Sequence, residues 1–280
     1  MSAPLPAPTT GGRLLCVDIG NTRTVLGLFD GETPLEHWRV ATDERRTADE
    51  WAAVLTSLFV GGGPAASLPA GLASLTGVAI AATVPGVLHE WRAMLERHLP
   101  DVPHVVVGPG IRTGVPVLMD NPREVGADRI ANALAALTHH AQPGRPVVVV
   151  DLGTATTVEV VNAKGQYVGG LIAPGIEVSA DALARRTAQL RRVELVRPRT
   201  VIARNTVEAI QSGLYFGVLA QVEGLLARVA REIGSSVEEV VVVTTGYLAP
   251  LVSDECVGVD VHDPWLTLRG LELIFRRNAG

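Results

Sequence analysis

The stretch VVVVDLGTATTVEVVNAKGQYVGG, Val147–Gly170, ends four consecutive valines on an acidic residue, Asp151. A buried strand that finishes on a carboxylate needs a reason, because an ionised group is costly to remove from water. The same arrangement occurs earlier, in LLCVDIGNTRTVLGLFDGE, Leu14–Glu32. There too an apolar run reaches an Asp, Asp18, followed by Gly, polar residues, an alternating stretch and a Gly-containing turn. Two copies in equivalent places, one opening each half of the chain, indicate an internal duplication; no short-period repeat is visible.

Each Asp stands where a strand is expected to leave its sheet. Gly20 and Gly153 follow two residues later, where a tight turn lets backbone approach a ligand closely. Asn21, Thr22, Thr154, Thr156 and Thr157 add neutral donors around the turns. Such a turn presents N–H and hydroxyl groups to phosphate oxygens while the Asp holds a hydrated cation. Magnesium takes only one or two carboxylates beside waters and phosphates, so a sparse acidic presence suits it. A single copy reads equally well as a hydrogen-bonded hairpin turn. The pair is better explained by two halves gripping a phosphate chain from both sides.

At 280 residues the chain is long enough for two modest domains. With 47% hydrophobic and only 4% aromatic residues, dominated by Ala, Val, Leu and Gly, it suits buried sheets covered by helices. A net charge of −5 argues against nucleic acid or anionic membrane as partner. Cys16 and Cys256 form no CxxC pattern, so a reducing cytoplasm is expected. MSAPLPAPTTGG, residues 1–12, reads as a disordered tail without the charged and apolar regions of a signal peptide. No apolar run approaches the roughly 20 residues of a membrane span. A soluble, cytoplasmic protein is expected.

Periodicity predicts strands at 14–17, 24–29 and 37–40, a helix over 47–59, a loop over 61–71, a strand at 77–83, a helix at 87–99, a strand at 104–107 and a helix at 125–139. The second half repeats the order: strands at 147–150, 156–161 and 167–172, helices at 177–187 and 206–232, a strand at 240–244, a helix after Tyr247, a short strand near Val257–Val259 and a last helix over 266–277. Three-strand meanders followed by helix–strand alternation imply a layered α/β fold. The domains are expected at 13–142 and 143–280, with the last helix able to pack back on the first.

The paired DxG(N/T)T turns resemble those of the actin-like, sugar-kinase and heat-shock-ATPase superfamily. More narrowly, DIGNT (Asp18–Thr22), NPREVGADR (Asn121–Arg129), DLGTATT (Asp151–Thr157), GGLIAPG (Gly169–Gly175), NTVEAIQSG (Asn205–Gly213) and LTLRGL (Leu266–Leu271) resemble the type III pantothenate kinases, in order and over nearly the whole chain. The resemblance implies duplicated actin-like (ribonuclease H-like) domains, mixed sheets flanked by helices, with a nucleotide cleft between them.

GADR, Gly126–Arg129, opens a predicted helix, and a helix start attracts anions that an adjacent Arg can pair bidentately. Asp128 there is placed to take a proton from an attacking hydroxyl, although it could simply favour the helix dipole while Arg129 makes a surface ion pair. The resemblance implies that Asp128 is the general base and that Gly126, Ala127, Asp128, Arg129 and Thr206 bind the acceptor, pantothenate. It implies a phosphate-binding turn at Asp18, Ile19, Gly20, Asn21, Thr22, Arg23, Thr24 and Val25, with Asp18 reaching Mg²⁺ through water. It further implies that Thr154 contacts ATP and that Asp151 binds a monovalent cation, potassium or ammonium. The implied reaction moves the γ-phosphoryl group of ATP to pantothenate, the first step towards coenzyme A, in a homodimer.

Three positions depart from the family pattern. Met119 stands where Tyr is frequent, Glu159 where some relatives have Asp, and Tyr247 where Gly-Gly is usual. Met119 keeps another small hydroxy acid or a sugar open as acceptor, and a non-catalytic ATP-binding regulator is the alternative from another class. Arg185, Arg186, Arg191, Arg192, Arg197 and Arg199 read as a solvated or subunit-facing surface, with phosphate steering the competing reading. The seven His show no metal-ligand spacing. Ile210, Leu214, Val218, Val222 and Leu225 make a helical stripe that suits a core, or a dimer seam beside Gly217 and Ala220.

Overall fold

The computed structural model describes residues 12–60, 71–186 and 193–279. The tail through residue 11, the loop over 61–70, Thr187, Arg191 and Arg192 lie outside them. The described residues fall into two compact units. The first takes the chain to Val115, Asn121–Ala135 and the segment from Leu266; the second takes Pro116–Asp120 and Ala136–Trp265.

In the first unit β1 (Arg13–Ile19), β2 (Arg23–Asp30) and β3 (Thr33–Ala41) form an antiparallel meander, and β4 (Leu75–Ala82) and β5 (His104–Val106) add to β1 in parallel, giving the order β3-β2-β1-β4-β5. Gly31, with φ of 58°, makes the β2–β3 hairpin that Asp30-Gly31 predicts. One face carries Leu15, Val17, Leu26, Leu28, Val78 and Ile80 into a core closed by α1 (Ala48–Val60) and α2 (Pro85–His98). Thr47 and Glu50 cap α1 reciprocally, Glu50 Oε2 accepting from Thr47 N at 2.8 Å. Pro85 begins α2, where its missing N–H costs nothing. The Trp51 and Trp91 rings join the helices at 5.1 Å between centroids.

The opposite face is covered by α7 (Leu266–Asn278). Side chains of α7 lie directly over glycines: Leu268 over Gly27 and Phe275 over Gly77, where a Cβ would overlap the ring. Beside it runs α3 (Ala127–His139), and the buried Asn132 accepts a 2.7 Å hydrogen bond from Thr267 Oγ1.

The second unit repeats the topology. β6 (Val147–Leu152), β7 (Ala155–Val161) and β8 (Tyr167–Pro174) are antiparallel, and β9 (Val241–Thr245) and β10 (Val261–His262) add to β6 in parallel. Helices α4 (Ile176–Arg186), α5 (Thr206–Glu232) and the short α6 (Ala249–Val252) complete it, with α4, α5 and α6 all contributing to its core. The short strand expected at Val257–Val259 lies instead at Val261–His262: Gly258 at φ 91° and the Val259 N to Cys256 O bond make those residues a turn. Along α5, Leu214, Val218, Val222 and Leu226 are buried, Leu226 completing the stripe in place of Leu225. At 27 residues α5 is long and apolar enough to cross a bilayer by length and composition. Its buried stripe serves the unit's core, and Glu208, Glu223 and Arg228 interrupt its apolar character.

Candidate active site

In the first unit, Asp18 is still within β1, paired with Val25 on β2 and Ala81 on β4. The chain then turns: Gly20 N donates to Arg23 O at 3.1 Å, and a Cβ at 20 would stand 3.0 Å from that carbonyl. Asn21 and Thr22 are exposed at the tip. Ile19 and Thr24 are fully buried, so their side chains support the turn from beneath. The turn's carbonyls are tied down from outside the motif. Thr42 Oγ1 donates to Gly20 O at 2.7 Å and lies 2.9 Å from Thr24 Oγ1; Thr42 N donates to Thr22 O, and Thr83 Oγ1 to Ile19 O at 3.0 Å. Thr42 and Thr83 were not legible as site residues because they follow other strands and meet the turn only in the folded sheet.

In the second unit, Asp151 lies in β6 opposite Thr157 and Thr245. Gly153 N donates to Ala155 O at 3.0 Å, closing a turn of the same design. Two glycines from elsewhere crowd it. A Cβ at Gly175 would overlap the Thr154 and Gly153 carbonyls, and Gly246, at φ 93°, comes so near that a Cβ would overlap Asp151 Oδ1 and the Leu152 carbonyl. The carboxylate and carbonyl oxygens gathered here are the donor type that hard cations take. Thr156, expected among the turn's donors, is buried, with no hydrogen-bond partner for its Oγ1 among the described residues. Tyr247 follows Gly246, and its hydroxyl donates to Glu177 Oε2 at 2.6 Å. Its ring edge passes 3.9 Å from where a Cβ at 153 would stand.

The GADR segment begins α3, with Ile130 N donating to Gly126 O at 3.2 Å. Asp128 Oδ1 is buried and accepts no hydrogen bond among the described residues. It occupies the space that a Cβ at 126 would need, so a side chain there would displace this oxygen. Just before it Asn121 caps a short 3₁₀ turn, accepting from Arg123 N at 3.3 Å. Ala127 and Arg129 are half-buried. Thr206 is the exposed first residue of α5, after Asn205, whose side chain accepts from Glu208 N at 2.9 Å. Asp18 to Val25 thus share one hairpin, Gly126 to Arg129 one helix start, and Asp151 and Thr154 one turn, while Thr206 opens a separate helix.

The departures resolve individually. Glu159 is fully buried and accepts a hydrogen bond from the Tyr167 hydroxyl, a structural pairing across the sheet. Met119 belongs to a segment held beside β8 by Tyr167 N to Pro116 O at 2.9 Å and Leu118 N to Tyr167 O at 2.8 Å. Of the arginine cluster, Arg197 pairs with Glu255 and Arg199 with Glu208, which favours a solvated surface for these two.

The family model for type III pantothenate kinase matches residues 14–228. The chain belongs to the type III pantothenate kinases. A type III pantothenate kinase of Nocardioides sp. is 62% identical over 95% of this chain and 99% of its own length, and one of Thermobifida fusca is 56% identical over 95% and 100%. Among solved structures, the ROK hexokinase of Thermus thermophilus superposes with a TM-score of 0.50 at 17% identity, covering 94% of this chain and 98% of its own. That likeness concerns the fold alone and agrees with duplicated actin-like units. The matched span of this type III pantothenate kinase contains both Asp-Gly turns, the GADR helix start and Thr206.

Proposed function

We propose that the chain phosphorylates pantothenate with ATP, entering coenzyme A biosynthesis, and that Asp128 is the general base. The observation that supports Asp128 is its buried Oδ1, an acceptor left without a donor among the described residues. Leaving a buried acceptor unmet is unfavourable, so a substrate hydroxyl arriving there supplies what the fold withholds. The pantothenate hydroxyl oxygen forms a bond to the γ-phosphorus, and the bond from that phosphorus to the β–γ bridging oxygen breaks. ADP leaves with the electron pair, and the hydroxyl proton passes to the Asp128 carboxylate. Such transfers depend on positioning and charge more than on covalent work by the protein.

The two glycine turns, at Asp18–Val25 and at Asp151–Thr154, are the phosphate holders in this reading, and Arg129 and Thr206 hold the acceptor with Gly126 and Ala127. Among the described residues no three or more His, Cys, Asp or Glu side chains gather to hold a metal. Mg²⁺ would therefore rest mainly on phosphate oxygens and water, with Asp18 reached through water, where it neutralises phosphate charge. Asp151 would hold potassium or ammonium beside the Leu152 carbonyl.

A homodimer has support on α5, where Gly213, Gly217, Ala220 and Gly224 are exposed, and nothing lies within 4 Å of where a Cβ would stand on the three glycines. Val201, Ile202 and Val207 add exposed apolar surface in the same unit. Both cysteines are free and buried, in keeping with a cytoplasmic setting. The deciding assay is ADP release from ATP and Mg²⁺ with pantothenate, with and without potassium or ammonium. Asp128→Asn is expected to lower kcat by about 10²–10⁴. Full turnover in that variant would remove Asp128 as base, and no turnover by the parent chain would remove pantothenate as acceptor.

A further inference from the structure

A cavity of about 350 Å³ lies wholly within the second unit, between α4, the segment at Val193–Leu195 and the residues that follow β9. Its walls combine aliphatic Val193, Leu195 and Leu251 with three polar side chains: Glu177, Asp181 and Tyr247. Glu177 and Asp181 stand one helical turn apart on α4, so they share a face. The Tyr247–Glu177 hydrogen bond fastens α4 to the loop after β9 and sets one carboxylate in the wall. The Tyr247 ring, part of the cavity wall, also skirts the Gly153 turn proposed to hold phosphates.

The chemistry of the lining narrows the ligand. Ionised carboxylates accept hydrogen bonds and cannot donate them, and they repel phosphate oxygens. The triphosphate therefore stays at the glycine turn, and the cavity takes an uncharged moiety attached to it, partly apolar and bearing O–H or N–H donors. The nucleoside end of a nucleoside triphosphate meets all of these terms. Resting on the ATP-dependent reading above, we propose that Tyr247, through its bond to Glu177, is a specificity-determining residue for the nucleotide. Tyr247 holds the Glu177 carboxylate towards the donors of the nucleoside, with Asp181 as a second acceptor. This assigns a positive role to the tyrosine at a position where the family pattern has glycine.

The test uses the full chain with Tyr247→Phe, which keeps the ring and removes the hydroxyl, and Glu177→Gln. KM for ATP should rise about tenfold in each, the worth of one charge-assisted hydrogen bond, with a much smaller fall in kcat. Calorimetric Kd values for ATP and for inorganic triphosphate give a readout independent of turnover: the variants should weaken ATP and leave triphosphate unchanged. A parent chain that binds ATP no better than triphosphate would overturn the inference without touching the kinase reading. So would variants in which KM and the ATP-to-triphosphate ratio stay at parental values. If the parent shows no turnover with pantothenate but the calorimetric ratio still falls in the variants, the inference holds and the acceptor assignment fails. 2′-Deoxy-ATP and inosine triphosphate separate the two donor sources, the first losing a ribose hydroxyl and the second the base amine. Equal binding of both and ATP by the parent chain would also overturn it. Thermal melts of both variants guard against misfolding, and Tyr247→Trp, which cannot accept from a donor but retains an N–H, gives a second variant for the same ratio.

Discussion

Gly270 on α7 lies so close to Ala131 on α3 that a Cβ at 270 would overlap the Ala131 carbonyl. Together with the Thr267–Asn132 hydrogen bond, this contact sets the position of α3 and with it the helix start that carries Asp128. Gly270→Ala is expected to destabilise the chain by about 2–3 kcal/mol through forced separation of the two helices. A urea titration reads the loss, and an unchanged midpoint would show that the helices yield without cost.

Removing the charge at Asp128 should separate activity from stability. Because Oδ1 is buried and accepts no hydrogen bond among the described residues, Asp128→Asn breaks no bond to that oxygen there and removes the charge of a half-buried side chain. Its unfolding free energy should match the parent within about 1 kcal/mol or exceed it. A large loss of stability would mean that the activity defect reports unfolding.

Gly246 couples backbone conformation to Asp151. At φ 93°, with Asp151 Oδ1 and the Leu152 carbonyl in the way of any Cβ, Gly246→Ala must strain the backbone or displace the carboxylate. The expected cost is about 1–3 kcal/mol in stability and about 10- to 100-fold in kcat/KM for ATP, with a weaker response to potassium. Parental kinetics would show that Asp151 tolerates displacement.

Glu272, on α7 beneath its own salt bridge to Arg276, is only 4% exposed. Burial pushes its carboxyl up to about 7, against the opposing pull of Arg276, and Glu32 raises it further. The folded state therefore holds this proton more tightly than the unfolded chain, whose carboxyl titrates near 4.5. Stability from this group is fully present below the unfolded value and is lost as pH rises through about 7. Between pH 8 and pH 6 the parent should gain on the order of 1 kcal/mol that Glu272→Gln does not. Parallel profiles for the two proteins would count against the proton at Glu272.

Much of the fold was legible because its signals are local. Asp30-Gly31 and the AKGQ turn act over a few residues, and the α5 limits at Thr206 and Glu232 follow from a cap and a period. The repeated Asp-Gly turns disclosed the duplication for the same reason. The misplaced last strand shows the converse: Val257–Val259 has strand-forming residues, but Gly258 turns the chain and β9 finds its partner at Val261.

By itself the sequence determined the two turns, the helix start at Gly126 and the family to which these belong, since each is written in contiguous residues whose hydrogen bonds close locally. Only the tertiary structure decided which distant residues hold those turns. Thr42 and Thr83 brace the first, Gly175 and Gly246 make room for the second, and Gly270 admits α3 against α7. Tyr247 and Glu177, seventy positions apart, close one wall of a cavity. Such contacts depend on how sheets and helices come to lie together, and backbone approach at a missing Cβ is set by that packing, which no local pattern encodes.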